Sequence, residues 1–260
     1  MGYATIRSAG GETTTAEQTY TTTGMINRSC GVLLALIMGA GLAHAQTMRS
    51  YSAARQVHGE AQLAATVELA AGSLRLAPGG ASTLYHLEVI YDSDRFKPQS
   101  TYLAVTGEVT LGLQSIGGAG LRVSKAKHLD QAANVVFSPS VDLNLNVQLD
   151  AVHAELELGG FRLVGFTIRN GGSRTVVRFS QPNQVRCTRG AFRAGAAEFK
   201  VSGLGNSRCD AIAYDGGIGT AELDFSGSWT NDMRLEASMA AGGLVLKFPR
   251  SLGVRMTTDN

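Results

Sequence analysis

Two cysteines, Cys187 and Cys209, stand 22 residues apart and are the only thiols after the first 45 residues. In an oxidising compartment such a pair forms a disulfide; in a packed interior it persists as two buried thiols. The spacing admits both, and neither is catalytic. Asp92-Ser93-Asp94 offers carboxylate oxygens of the kind calcium takes, but no calcium loop of known spacing surrounds it, so it reads as a solvated turn. Gly217-Ile218-Gly219 lacks the helix that a nucleotide loop requires, which leaves turn glycines. His58, His86, His128 and His153 fall in no metal-ligand spacing. No Gly-x-Ser-x-Gly elbow occurs. Glu155 with Glu157, and Glu222 with Asp224, have the two-residue separation that could set a glycosidase-like carboxylate pair on one strand face. A solvated face explains them as well. Tyr85, Tyr91, Phe96, Tyr102 and Trp229 make up a candidate aromatic patch for a glycan or protein. No catalytic, cofactor or metal residues emerge.

The elements that must position these residues repeat. Thr175-Val-Val-Arg-Phe179, Ala197-Glu-Phe-Lys-Val201, Ala221-Glu-Leu-Asp-Phe225 and Leu244-Val-Leu-Lys-Phe248 align without gaps at steps of 22, 24 and 23 residues. Each alternates apolar and polar residues with period two, the signature of a strand. Units of this length cannot bury an apolar face alone and stack on their neighbours. The alignment predicts inward columns Thr175/Ala197/Ala221/Leu244, Val177/Phe199/Leu223/Leu246 and Phe179/Val201/Phe225/Phe248, with Arg178/Lys200/Asp224/Lys247 outward. Eight residues further on, Cys187, Cys209, Met233 and Met256 form another apolar column, and Leu158 with Phe166 suggests one more rung. The fold class this implies is all-β, a single-stranded parallel β-helix, or solenoid, with rungs of about 22 to 24 residues. A β-sandwich is the alternative.

The runs Gly195-Ala-Ala-Glu-Phe-Lys-Val-Ser-Gly-Leu-Gly-Asn206, Asp215-Gly-Gly-Ile-Gly-Thr-Ala-Glu-Leu-Asp-Phe-Ser-Gly227 and Gly243-Leu-Val-Leu-Lys-Phe-Pro-Arg250 resemble the toast-rack, or adhesin-like, β-solenoid family. The resemblance extends from about Val67 to Met256. It implies domains like those of bacterial cell-wall-active antibiotic response proteins, and an envelope setting. It carries over no catalytic residues.

Residues 1–24 are polar and aperiodic, which reads as a disordered segment or an unused upstream start. Residues 25–45 have the layout of a signal peptide: Met25-Ile-Asn-Arg28, an apolar run from Gly31 to Leu42, and Ala43-His-Ala45 for cleavage. That run is too short to span a bilayer, which takes about 20 residues, so no membrane span is expected after cleavage. Residues 46–113 read as an N-terminal β segment or cap, with a hairpin-like or rung-to-rung pair around Gly107. Residues 114–140 read as a loop and boundary, and 141–260 as the solenoid repeats. A net charge of +2 without a basic run argues against nucleic acid, and 32 Gly with only 5 Pro suit a turn-rich β protein.

The expected protein is therefore non-enzymatic and exported to the periplasm or beyond. It would act as an interaction, sensing or adhesion scaffold with an envelope protein or glycan as partner, and self-association through exposed strand edges is open to it. A polysaccharide-active lyase or glycoside hydrolase is the alternative by fold analogy.

Overall fold

The computed structural model describes residues 47–116 and 131–257. The expected signal peptide, the polar N-terminus and the Gly- and Lys-rich part of the expected loop lie outside these residues. Among the described residues eleven strands follow in chain order: β1 (Met48–Gln56), β2 (Gln62–Pro78), β3 (Thr83–Asp92), β4 (Phe96–Leu103), β5 (Glu108–Ser115), β6 (Ala132–Phe137), β7 (Asp142–Glu157), β8 (Arg162–Arg178), β9 (Cys187–Ser202), β10 (Cys209–Asp224) and β11 (Arg234–Lys247).

Six long strands, β2, β7, β8, β9, β10 and β11, lie side by side in that order, all parallel. Parallel neighbours usually need a crossover of a dozen residues or more. Here residues 158–161 alone join β7 to β8, and 179–186, 203–208 and 225–233 make the next three connections. Four linking residues reach at most about 18 Å. A straight strand of 16 residues would run about 53 Å. Each long strand must therefore fold back at its middle, so that its end returns to the start of the next rung.

Burial records that fold. In β7 the inward residues are Leu143, Leu145, Val147 and Leu149, then Val152, Ala154 and Leu156. The odd-numbered side gives way to the even-numbered side at a corner near Asp150. β10 makes the same switch, from Ile212 and Tyr214 to Ala221 and Leu223. The corner has its own column: Ser173, Ala197, Gly219 and Gly242 are register partners from β8 to β11. Ser173, Gly219 and Gly242 have φ of 143°, 142° and 116°, the region that disfavours side chains with a Cβ. A Cβ on Gly219 would lie 2.2 Å from the carbonyl oxygen of Ala197. Glycine there permits both the bend and the close approach of rungs.

At the other edge of β2 the two arms part company. β5 pairs in parallel with Ala64–Leu69 and β6 with Ser73–Pro78. β4 closes on β5 as an antiparallel hairpin around Gly107, and β3 then β1 extend the second arm's sheet. The expected boundaries shift accordingly. β2 is a rung of the parallel stack and not part of a separate cap, and residues 132–137, expected as loop, form β6.

One rung of the expected alignment is also displaced. Thr175 pairs with Phe199 and Val177 with Val201, while Phe199 pairs with Ala221 and Val201 with Leu223. The columns are thus Thr175/Phe199/Ala221/Leu244 and Val177/Val201/Leu223/Leu246. The expected Phe179/Val201/Phe225/Phe248 column has no β9 member at Val201. The chain there turns instead through Gly203, in a left-handed conformation (φ 76°) that packs on the Phe179 carbonyl. A two-residue slip preserves which face is inward, so the expected burial survives where the expected neighbours do not. Cys187 and Cys209 are register partners, fully buried and disulfide-bonded, with Cα atoms 4.2 Å apart. Met233 packs partly against the core, whereas Met256 is exposed and leaves the expected column. Phe166, Phe192 and Phe199 fill the interior with ring centroids 5.2 Å and 5.5 Å apart. Each such buried ring contributes roughly 1.5–3 kcal/mol.

Gly219→Val is expected to destabilise the protein by about 2 kcal/mol or more, because it combines backbone strain with a clash on Ala197. The same change at Gly243, where a Cβ meets nothing within 4 Å, should cost far less. Thermal melts of the two variants compare them directly.

Candidate binding face

The outward residues of the second arms form rows across the sheet. One row runs Ser52, Glu88, Asn134, Arg75, Glu155 and Val176, through β1, β3, β6, β2, β7 and β8. The next runs Ser50, Ile90, Ala132, Ser73 and His153. Sheets twist, and here the surface forms an open concavity of about 900 Å³ lined by these rows, with Arg174 and Arg178 on one side. Hydroxyl, carboxylate, carboxamide and guanidinium groups thus recur at strand spacing, about 4.8 Å.

The charges on this face are paired only loosely. Arg178 Nη1 lies 3.9 Å from Glu155 Oε2, and Arg174 Nε 3.5 Å from Glu198 Oε1. Arg75 has no carboxylate within 4.0 Å among the described residues. Two Ser–His contacts occur, Ser52 Oγ to His86 Nε2 and Ser173 Oγ to His153 Nδ1, both 3.1 Å. Glu88 Oε1 stands 3.5 Å from His86, at the same ring nitrogen that meets Ser52. A hydrolytic relay needs serine on one nitrogen and the carboxylate on the other, so this trio is a surface polar cluster. The carboxylate pairs considered from sequence are engaged separately. Glu157 Oε1 accepts from the amides of Gly159 (2.8 Å) and Ser180 (3.0 Å), closing a rung turn, while its neighbour Glu155 faces Arg178.

Beside this face Glu222 Oε1 bridges two rungs, 3.2 Å from Lys200 Nζ and 2.8 Å from Lys247 Nζ. Hydrogen bonds from Lys247 and then Lys200 hold its carboxyl below the ordinary glutamate range. A smaller groove of about 470 Å³ follows the corners, where Arg169, Arg193 and Asp215 are consecutive register partners.

The aromatic residues singled out in sequence do not form a shared patch. Tyr85 and Phe96 are core side chains, 6 % and 1 % exposed. Tyr91 is partly buried against the core. Tyr102 lies 6.1 Å from Tyr85, with the Arg55 guanidinium 4.3 Å above its ring, and its hydroxyl donates to Glu60 Oε1 at 3.2 Å. Burial, chiefly, raises the pKa of the Tyr102 hydroxyl. Trp229 lies between β10 and β11, stacked on Phe225, with Nε1 donating to the Phe225 carbonyl at 2.9 Å. Asp92 is buried and its Oδ1 accepts the Asp94 amide, which makes that segment a closed turn. The concave face was missed because its rows join strands distant in sequence. The local alternation in Leu74-Arg75-Leu76, Leu87-Glu88-Val89 and Ala154-Glu155-Leu156 marks each outward residue separately but not the row that joins them.

The architecture defines a β-solenoid of corner-folded strands with an antiparallel cap. The family profile described as the N-terminal domain of toast_rack, DUF2154, matches residues 43–202, more than half of the chain. The chain belongs to the toast-rack family. Among solved structures, a proposed cell adhesion protein from Clostridium sporogenes superposes with a TM-score of 0.55 at 12% identity, covering 76% of this chain and 99% of that one. At this identity the likeness concerns the fold. A proposed adhesin from Bacteroides fragilis gives a TM-score of 0.31 at 9% identity over 77% of this chain and 97% of its own. No curated protein matches the sequence.

Because the Glu222 pKa is lowered on folding, its contribution to stability is complete above the ordinary value of 4.5 and is lost as pH falls through the lowered one. Glu222→Gln should melt a few degrees below the parent protein at neutral pH, and the two curves should converge on acidification. Melting temperatures across an acid pH series measure this.

Proposed function

We propose that the protein is an exported, non-enzymatic scaffold of adhesion type, which engages an envelope protein or glycan through the concave outer face of its second arms. The observation that carries this reading is the row Ser52–Glu88–Asn134–Arg75–Glu155, which crosses five strands on one solvent-facing surface. A rigid sheet fixes such groups in advance, so little ordering entropy opposes binding. Membership of the toast-rack family supports the reading, as does the fold shared with the Clostridium sporogenes protein, a proposed cell adhesion protein. Export rests on the sequence of residues 25–45. The cross-rung disulfide suits an oxidising compartment.

The test is retention of the full chain on envelope extract, with peptidoglycan, membrane and protein fractions separated. Arg75→Ala combined with Glu88→Ala is expected to lower retention about tenfold, the scale of one or two lost polar contacts, without changing the melting temperature. Undiminished retention would place binding elsewhere on the molecule.

A further inference from the structure

We infer that two copies of this chain join end to end through β11, with their strands antiparallel about a two-fold axis at the corner. This goes beyond the proposed binding face, which lies on another surface. Among the described residues β11 pairs only with β10, leaving one edge of a strand 14 residues long without a partner. Such edges are templates for a further strand. The interior is also unfinished there. Ile212, Ala221, Leu223 and Phe225 of the preceding rung are buried, while Leu235, Met239, Leu244, Leu246 and Phe248 are only partly covered.

The occupant follows from the corner. In the first arm of β11 the inward residues Leu235, Ala237 and Met239 have odd numbers. In the second arm Leu244 and Leu246 have even ones. An antiparallel copy places first arm against second arm, so inward residues meet inward residues only in alternate registers. One of these is centred between Ala241 and Gly242, at the corner itself. It sets Leu235 opposite the second copy's Phe248, Ala237 opposite its Leu246 and Met239 opposite its Leu244, closing the apolar interior. On the outer face it sets Glu236 opposite the second copy's Lys247, and by symmetry this happens twice. Of the two nearest registers that keep inward against inward, the one centred a residue further toward the C-terminus replaces the Glu236 pairing with Ser238 opposite the second copy's Lys247, and the one centred a residue toward β10's connection opposes Arg234 with that Lys247. Like charges directly opposite are unfavourable. A one-residue slip of the pairing instead puts Leu235 against the second copy's Lys247. A two-fold axis along the bisector of a corner-folded strand exchanges its arms, so the bend is compatible with the pairing and the interface is isologous.

Sedimentation equilibrium of the full chain from about 1 to 100 μM should show a monomer–dimer equilibrium, within the range of modest protein affinities. Lys247→Glu should weaken the dimer about tenfold or more by opposing carboxylates twice across the axis. Glu236→Lys added to Lys247→Glu should restore dimerisation to within about threefold, because the pairs are re-formed with signs exchanged. Melting of each variant at the lowest concentration checks that the fold persists. A strict monomer at 100 μM, or a dimer indifferent to both changes, overturns the inference. So does a single variant that weakens the dimer without recovery in the double variant.

Discussion

In-register parallel pairing across very short connections governs this molecule. Residues 158–161 cannot return a straight strand to its starting edge, so every rung bends, and it bends at the same place because neighbouring rungs are hydrogen-bonded there. The corner column Ser173, Ala197, Gly219 and Gly242 is the local solution. Three of its members take a conformation suited to glycine, and backbone groups of adjacent rungs approach more closely than a Cβ allows at Gly219 and Gly242. The interior follows from the bend. Two arms face one another and enclose the phenylalanines, the aliphatic columns and the Cys187–Cys209 bridge.

The same constraint organises the surface. Register fixes outward side chains into rows, and a row can gather groups from strands far apart in the chain. Glu88, Asn134, Arg75 and Glu155 come from four different strands and reach one line. A rung ladder offers breadth and regular spacing for binding, while enclosed pockets of the sort that shift titrating groups are formed more readily where loops converge. The change of inward side at each corner also shapes the ends of the stack, since it determines which strand can continue the interior beyond β11.

Much of the second arms was legible in the sequence, because Val-Val-Arg-Phe, Glu-Phe-Lys-Val and Glu-Leu-Asp-Phe alternate strongly. The first arm of β7 was legible too, through Leu143-Asn-Leu-Asn-Val147, but the first arms of β9 and β10 were not. Gly190-Ala191 has small residues on both faces, and Ala211 and Ala213 put apolar residues on the face opposite Ile212, so neither stretch gives much period-two contrast. Their inward positions are revealed only by what packs on them, such as the Phe166 ring beneath Gly190. The displaced rung has a related cause. Ala197, Phe199 and Val201 fit an apolar column equally well two residues either way, and the gap-free alignment ignored the turn at Gly203. The aromatic cluster misled because Tyr85 and Phe96 are large, and large apolar groups fill cores as readily as they mark surfaces.

The most direct test of the shared corner is the register between β8 and β9, read by oxidative cross-linking of outward cysteines. Val176 and Lys200 are register partners, so Val176→Cys with Lys200→Cys should form an intramolecular disulfide, and Arg178→Cys with Lys200→Cys should form it far less readily. The reverse preference would pair Phe179 with Val201 and Ser173 with Gly195. That would break the corner column, and with it the account of how this chain folds back on itself.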